Sequence, residues 1–318
     1  MIVALAGGVG GARLALGLAA ELPPQRLAIV VNTGDDFEHL GLAISPDIDT
    51  VTYTLAGLNN PALGWGRVDE TWSFMETLAA LGGETWFRLG DRDLALHVLR
   101  TAALARGERL SDVTRLIAER LGVRHAIVPM SDDSVRTFVM TDRGELAFQD
   151  YFVRLRCEPR VTGFRFDGSE NARVPPMLAA LCSEANIEAA VICPSNPYVS
   201  IEPILTVQTI RAWLERRRFP VIAVSPIVGG VAVKGPAAKM MHELGFESSA
   251  AAVAQHYGDL VDAWIVDRAD AALAHEIQRL GPHVEVADTM MTDAACSAAL
   301  ARVVVDVARR VRARVRPA

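Results

Sequence analysis

Ile2-Val3-Ala4-Leu5-Ala6-Gly7-Gly8-Val9-Gly10-Gly11-Ala12-Arg13 opens the chain, and its reading decides the fold. Five apolar residues of strand character run into four glycines within five positions. A segment of helical pattern, Ala12–Glu21, follows. A strand that turns through glycine into a helix is the first half of a strand–helix–strand unit, and the chain repeats the theme. Leu27–Asn32, Arg124–Pro129, Ala189–Cys193, Val221–Ser225, Ala263–Val266 and Val284–Ala287 read as further short strands. Val207–Arg218 and Pro236–Leu244 read as helices between them, and each of the last two strands leads into another. Apolar strands alternating with helices predict an α/β fold: a doubly wound, mostly parallel sheet covered on both faces.

Two stretches break the rhythm. From 65 to 122 the patterns are helical only, at Thr71–Leu81, Arg92–Arg106 and Ser111–Leu121. From 130 to 173 the chain reads as a small antiparallel β insert. There Val135–Thr141 and Glu145–Val153 flank the turn signal Asp142-Arg143-Gly144, and Val161–Phe166 adds a strand. The expectation is one α/β domain over 1–318 carrying a helical excursion and this insert.

Hydrophobic residues make up 51% of the 318 and charged ones 22%, a composition that excludes a wholly disordered chain. The net charge of −6 argues against nucleic-acid binding, which needs a basic face. An anionic substrate would need local Arg or Lys, or a bound cation. Cys157, Cys182, Cys193 and Cys296 form no CxxC pair, so neither a zinc site nor a disulfide framework is expected. The apolar N-terminus lacks a basic flank, and Arg13 falls where a signal sequence would stay apolar. With no apolar run of membrane-spanning length, a cytoplasmic location is expected.

The glycine loop lies between a strand and a helix, where backbone amides can approach a phosphate. Gly8, Val9, Gly10 and Gly11 are the candidate phosphate residues. The dinucleotide fingerprint G-x-G-x-x-G fails, because from Gly8 its last position is Arg13. No Lys-Ser/Thr follows, so a P-loop fails too. An NAD-dependent oxidoreductase is therefore disfavoured, and a nucleotide or diphosphate ligand favoured. Asn32-Thr33-Gly34-Asp35-Asp36 and Ser45-Pro46-Asp47-Ile48-Asp49-Thr50 follow the second strand. In open α/β sheets ligands bind beyond the carboxyl ends of the strands. Four acids there suit magnesium, which takes oxygen ligands and bridges phosphates, although Asp35 and Asp49 could instead cap helices or turns. Spacing does not say which acids hold metal.

Trp86-Phe87-Arg88-Leu89-Gly90-Asp91-Arg92-Asp93 offers aromatics to stack on a flat ring, or to pack a core, and arginines to offset charge. Asp91 or Asp93 could cap a helix starting near Leu94. Cys193-Pro194-Ser195-Asn196-Pro197 and Ser225-Pro226-Ile227-Val228-Gly229-Gly230 follow core strands at the same edge. Ser195 and Asn196 are candidates for base or ribose contact. Lys234 and Lys239 are candidates for phosphate contact. The histidines form no compact metal motif, no G-x-S-x-G elbow occurs, and the arginines at 302, 309, 310, 312, 314 and 316 read as a solvated helix.

Taken in order, these loops resemble those of the 2-phospholactate transferases of coenzyme F-420 biosynthesis. The stretches are Gly7–Arg13, Asn32–Asp36, Ser45–Thr50, Trp86–Asp93, Pro129-Met130-Ser131-Asp132-Asp133, Phe148-Gln149-Asp150-Tyr151-Phe152-Val153-Arg154 and Pro194–Pro197. The Gly7–Arg13 form is similar to that of the bacterial branch. The resemblance implies a Rossmann-like core, a homodimer and a magnesium requirement. It implies transfer of a phospholactyl-type group (2-phospholactate, phosphoenolpyruvate or 3-phosphoglycerate) from a guanosine diphosphate-linked donor to a deazaflavin. That acceptor is FO, 7,8-didemethyl-8-hydroxy-5-deazariboflavin, and the products are F-420-0, or its dehydro form, and GMP. Residues matching Asp49 and Arg88 contact FO in the family, and Trp86, from the same aromatic stretch, is a further candidate for FO contact. The Gly7–Gly11 and Ser195-Asn196 loops match its guanosine diphosphate loops. Asp36 and Asp47 are then the metal candidates, and Asp49, with Asp35 and Asp36, the catalytic ones. The competing expectation is a nucleotide-sugar-binding regulator of the related gluconeogenesis-factor group. Such a protein shares the glycine loop but needs no deazaflavin pocket around Trp86–Arg92.

Overall fold

The computed structural model describes residues 1–60 and 65–315. In chain order the strands are β1 (Ile2–Ala6), β2 (Leu27–Val31), β3 (Phe37–His39), β4 (Leu42–Ile44), β5 (Ala126–Pro129), β6 (Arg136–Thr141), β7 (Gly144–Ala147), β8 (Val161–Asp167), β9 (Ala189–Ile192), β10 (Val221–Val224), β11 (Ile227–Val228), β12 (Val231–Ala232), β13 (Ala263–Asp267) and β14 (His283–Ala287). Seven of them form one parallel sheet in the order β14-β13-β10-β9-β1-β2-β5, as the alternation predicted. β6, β7 and β8 form the expected antiparallel insert.

The strands are apolar on both faces because both are covered. Val3 and Leu5 of β1 join a core with Ala28, Val30, Ala190 and Ile192. Ile2, Ala4 and Ala6 join the opposite core with Ile29, Val31 and the apolar side of the long helix Ala294–Val315. The winding reverses at β1: the chain runs outward through β2 to β5, then returns to β9 on the other side. That reversal leaves a crevice at the carboxyl ends of β1 and β9, the topological place for a ligand.

Local details depart from the sequence reading. Helix α1 (Gly8–Glu21) starts inside the glycine loop, four residues before the expected start at Ala12, so loop and first turn are the same residues. The hairpin of β3 and β4 and the helix α2 (Pro46–Leu55) were not anticipated. Their neighbourhood reads first as acidic, which masks a valid start signal: Pro46 at the first helical position, with Asp47 and Asp49 in the first turn. The expected strand Glu145–Val153 ends at Ala147, and Asp150–Arg154 is a wide helical turn. Phe148 and Phe152 stack there with centroids 5.4 Å apart, a contact that four-residue spacing allows only on a helix-like backbone.

The helical excursion holds α3 (Ser73–Ala80), α4 (Asp91–Ala105) and α5 (Leu110–Arg120). Asp91 does not cap its own helix. It accepts from the amides of Ser73 and Phe74 at 3.1 and 3.0 Å and so caps α3. Glu70 in turn accepts from the amides of Arg92 and Asp93 and caps α4. The exchange ties the two helices together and holds the Trp86–Gly90 loop between them. In the last helix Arg302 and Arg310 pair with Glu21 and Glu285 on its exposed side, the solvated role expected, while Arg316 lies outside the described residues. Among the described residues no helix is long and apolar enough to cross a membrane.

Candidate active site

A cavity of about 560 Å³ opens at the β1–β9 crevice. That is ample for a drug-sized ligand. Three loops meet there: the glycine loop after β1, Pro194–Asn196 after β9, and the acidic segments after β2. The glycines are required by close packing. A Cβ on Gly10 would overlap the Pro194 carbonyl oxygen, and one on Gly11 would crowd Ser195 Oγ. The Gly8 φ of +60° adds a conformation that L side chains rarely adopt. Packing thus explains much of the glycine excess that the sequence reading assigned to phosphate. The loop's amides are also partly spent. Gly7 N–H donates to Ser195 Oγ at 3.2 Å, and Gly8 N–H to Asp47 Oδ1 at 2.6 Å. Val9 and Gly10, at the open start of α1, remain on the cavity wall.

Ser195 and Asn196 both line the cavity, but their side chains serve the scaffold. Ser195 Oγ donates to the Gly7 carbonyl at 2.7 Å, and Asn196 Oδ1 accepts from the Tyr198 amide at 3.0 Å. Both residues thus shape the loop as well as lining the cavity. Lys239 is not on the wall: it donates to Glu243 Oε1 and to the Pro159 carbonyl. Lys234 is on it.

The acids fall into two sets. Asn32 Nδ2 donates to Asp35 Oδ1 at 2.6 Å, to Asp47 Oδ2 at 3.0 Å and to the Val199 carbonyl at 3.2 Å. One amide thus gathers two carboxylates. Asp36 sits behind them, off the cavity lining, with Oδ2 accepting from Ser45 Oγ and Oδ1 buried without a partner. Burial pushes the Asp35 carboxyl well above the usual range, and the Asp47 and Asp36 charges push it further. Burial raises Asp36 to about 7, against the pull of Arg136, and Asp47 to about 6, against its bonds from Asn32 and Gly8. Carboxylates held together with so little counter-charge suit a cation. Among the described residues no three His, Cys, Asp or Glu side chains form a ready-made cage. Magnesium does not need one, since it commonly takes one or two carboxylates and completes its shell with water and substrate phosphate. The wall position favours Asp35 with Asp47, whereas the sequence reading paired Asp36 with Asp47.

Asp49 is different. Both its oxygens accept from the guanidinium of Arg100, which is 1% exposed, with the Nη1–Oδ2 distance 3.0 Å and the Nη2–Oδ1 contact shorter. His97 Nε2 lies 3.1 Å from Asp93 Oδ2, and the Tyr53 hydroxyl donates to Asp93 Oδ1 at 2.6 Å. Burial would raise Asp93, yet its bonds from His97 and Tyr53 leave it below the usual range. Asp49, Tyr53, Asp93 and His97 all face the cavity. The sequence reading missed His97, Arg100 and Tyr53. The signal was there: Asp93, His97 and Arg100 lie at i, i+4 and i+7, one face of α4.

Trp86, Phe87, Arg88, Phe148 and Phe152 give the cavity an aromatic lining. Phe87 also packs on Phe37, so this loop contributes to a core as well as lining the cavity. The Arg88 guanidinium lies 4.1 Å from the Trp72 ring centroid.

A family model described as "2-phospho-L-lactate transferase CofD" matches residues 2–307. A phosphoenolpyruvate transferase of Streptomyces griseus is 43% identical, over 98% of this chain and 99% of that one. A 2-phospho-L-lactate transferase of Methanosarcina mazei is 39% identical, over 96% of this chain and 99% of its own. A crystal structure of a UPF0052-family protein from Bacillus halodurans superposes with a TM-score of 0.63 at 14% identity, covering 96% and 98% of the two chains. At that identity it shows a shared fold alone. With the crevice, its loops and these relatives in view, the chain belongs to the 2-phospho-L-lactate transferase (CofD) family of transferases.

Proposed function

We propose that this protein is a magnesium-dependent transferase of coenzyme F-420 biosynthesis, acting in the cytoplasm as a homodimer. It moves a phospholactyl-type group (2-phospholactate, phosphoenolpyruvate or 3-phosphoglycerate) from a guanosine diphosphate-linked donor to the ribityl hydroxyl of FO. The products are F-420-0, or its dehydro form, and GMP. The observation that carries the reading is one cavity that brings together aromatic side chains and a helix start beside under-compensated carboxylates.

The acceptor ring packs among the cavity-lining Trp86, Phe87, Arg88, Phe148 and Phe152. Its hydroxyl chain then points toward Asp49. The Arg100 fork fixes that carboxylate's direction, and each oxygen keeps a lone pair to accept the hydroxyl's hydrogen bond. The hydroxyl oxygen attacks the phosphorus bearing the three-carbon group as its proton passes to Asp49. The bridging P–O bond breaks, and GMP leaves with the electron pair. Such transfers rest on positioning and charge neutralisation more than on a covalent nucleophile. The Val9 and Gly10 amides take part of the phosphate charge at the start of α1. Asp35 and Asp47 would hold magnesium, which when bound neutralises the diphosphate.

The test is product analysis. The protein is incubated with FO, magnesium and each guanosine diphosphate-linked donor in turn, and the products are identified by mass spectrometry. One donor should yield a phosphodiester of FO together with GMP. Absence of any FO adduct, with a uridine diphosphate sugar but not FO raising the melting temperature, would favour the regulatory reading.

A further inference from the structure

The whole sequence contains two lysines, Lys234 and Lys239, among 32 lysines and arginines. Both lie in one six-residue stretch. Lys239 is committed to Glu243, which it approaches at 2.5 Å, and to the Pro159 carbonyl at 3.1 Å. Lys234 is exposed, lines the cavity, and has no hydrogen-bond or ion-pair partner among the described residues.

Its backbone is held in place. The hairpin of β11 and β12 is anchored where Ser225 Oγ accepts from the Ile227 amide at 3.2 Å and where the Gly229 amide donates to the buried Asp270 carboxylate. Val233 N–H closes it by donating to the Pro226 carbonyl at 3.2 Å. Lys234 follows immediately, and the helix Ala237–Glu243 begins three residues later. A fixed Cα with a free side chain results.

The sheet order puts this anchor on a definite side. The acids follow β2, on one flank of β1, and Lys234 follows β10, beyond β9 on the other flank. An anion over the glycine loop lies between the two. The cavity wall carries Asp35, Asp47, Asp49 and Asp93, while its cations are Arg88, stacked on Trp72, and Lys234. Arg13 of the glycine loop is turned away and donates to the Met291 carbonyl at 2.8 Å. Asp47 has already taken the Gly8 amide. A diphosphate with a carboxylated tail therefore meets a wall rich in negative charge and short of donors on the β10 flank.

We propose that Lys234 is a donor-binding residue whose ammonium contacts the phosphate oxygens of the bound diphosphate opposite the acidic flank. This inference deepens the proposed function and rests on it. A lysine suits the place, because a compact ammonium with three rotatable donors can follow oxygens whose charge and position change as GMP departs. A fork-shaped guanidinium would fix one geometry.

The experiment uses the full chain with magnesium. Amines are reductively methylated with and without guanosine diphosphate, and each lysine is read by peptide mass spectrometry, with Lys239 as internal control. In parallel, calorimetry measures guanosine diphosphate, inorganic pyrophosphate and FO binding to wild type, Lys234→Ala and Lys234→Arg. The nucleotide should shield Lys234 and leave Lys239 unchanged. Lys234→Ala should weaken guanosine diphosphate and pyrophosphate about tenfold or more, the scale of one charge-assisted bond, with Lys234→Arg between and FO unchanged. Nucleotide binding within twofold of wild type in Lys234→Ala, with no shielding, overturns the assignment while leaving the donor reading intact. Lysine-dependent pyrophosphate binding without guanosine diphosphate binding upholds the lysine and overturns the guanosine donor.

Discussion

Two sets of carboxylates lie at the same cavity, and they are built in opposite ways. On the β2 flank, Asp35, Asp36 and Asp47 are gathered by Asn32, Ser45 and one backbone amide, all neutral donors. Their acidities are shifted upward by burial. On the α4 flank, Asp49 is matched by Arg100, and Asp93 by His97 and Tyr53. The first set is short of positive charge and suits a cation brought from outside. The second is already paired and serves as a rigid wall. Depth does not separate the sets, since Asp35 is 7% and Asp49 6% exposed. The difference lies in partners: a desolvated charge is costly until something matches it.

Breaking the matched pair should have the largest effect. Arg100→Met leaves Asp49 buried and unpaired and should cost about 3–5 kcal/mol in urea unfolding. Adding Asp49→Asn should recover a good part of that loss, because the stranded charge is then gone. If the double variant is no more stable than the single one, the pair is not the unit described.

The unmatched set predicts the reverse. Asp35→Asn keeps an acceptor for Asn32 and removes a charge. Turnover should fall on the order of a hundredfold or more, as for loss of a metal ligand. Metal-free stability should hold or rise. A loss of stability comparable to Arg100→Met would erase the distinction between the flanks.

Proton linkage gives a smaller effect. The folded-state values of Asp36 and Asp47, about 7 and about 6, lie above the unfolded value of 3.8. Their protonated forms are thus favoured by folding, and the stability they contribute is present in acid and lost as pH rises through those values. Between about pH 5 and about pH 8 the metal-free protein should lose stability progressively. Magnesium should flatten that slope in thermal melts at matched ionic strength. Arg88→Ala, in the aromatic lining, should do least. It should raise the KM for FO about three- to tenfold, with guanosine diphosphate affinity unchanged in calorimetry.

The acidic segments were legible in the sequence as a group, because four aspartates within 15 residues at a strand's carboxyl edge stand out. Their division was not. Asp47 and Asp49 are two residues apart on α2, yet one meets the Gly8 amide and the other Arg100, 51 residues away. The glycine loop shows the same limit. Its spacing signalled close backbone approach, and only the fold shows that Gly10 and Gly11 are approached by the Pro194–Ser195 loop after the neighbouring strand β9. His97 was passed over because the histidines were read only for a compact metal motif, and its partner Asp93 counted first as a helix cap.

What the sequence by itself determined is the wound sheet, the insert, the family and the edge at which chemistry collects. Those follow from local periodicity, from turn residues and from the order of short motifs, all of which are written along the chain. Only the tertiary structure decided which acids are matched, which amides remain open and which of two lysines is free. Charge balance in a cavity depends on side chains brought together from distant segments, at distances of a few ångströms that no spacing along the chain encodes.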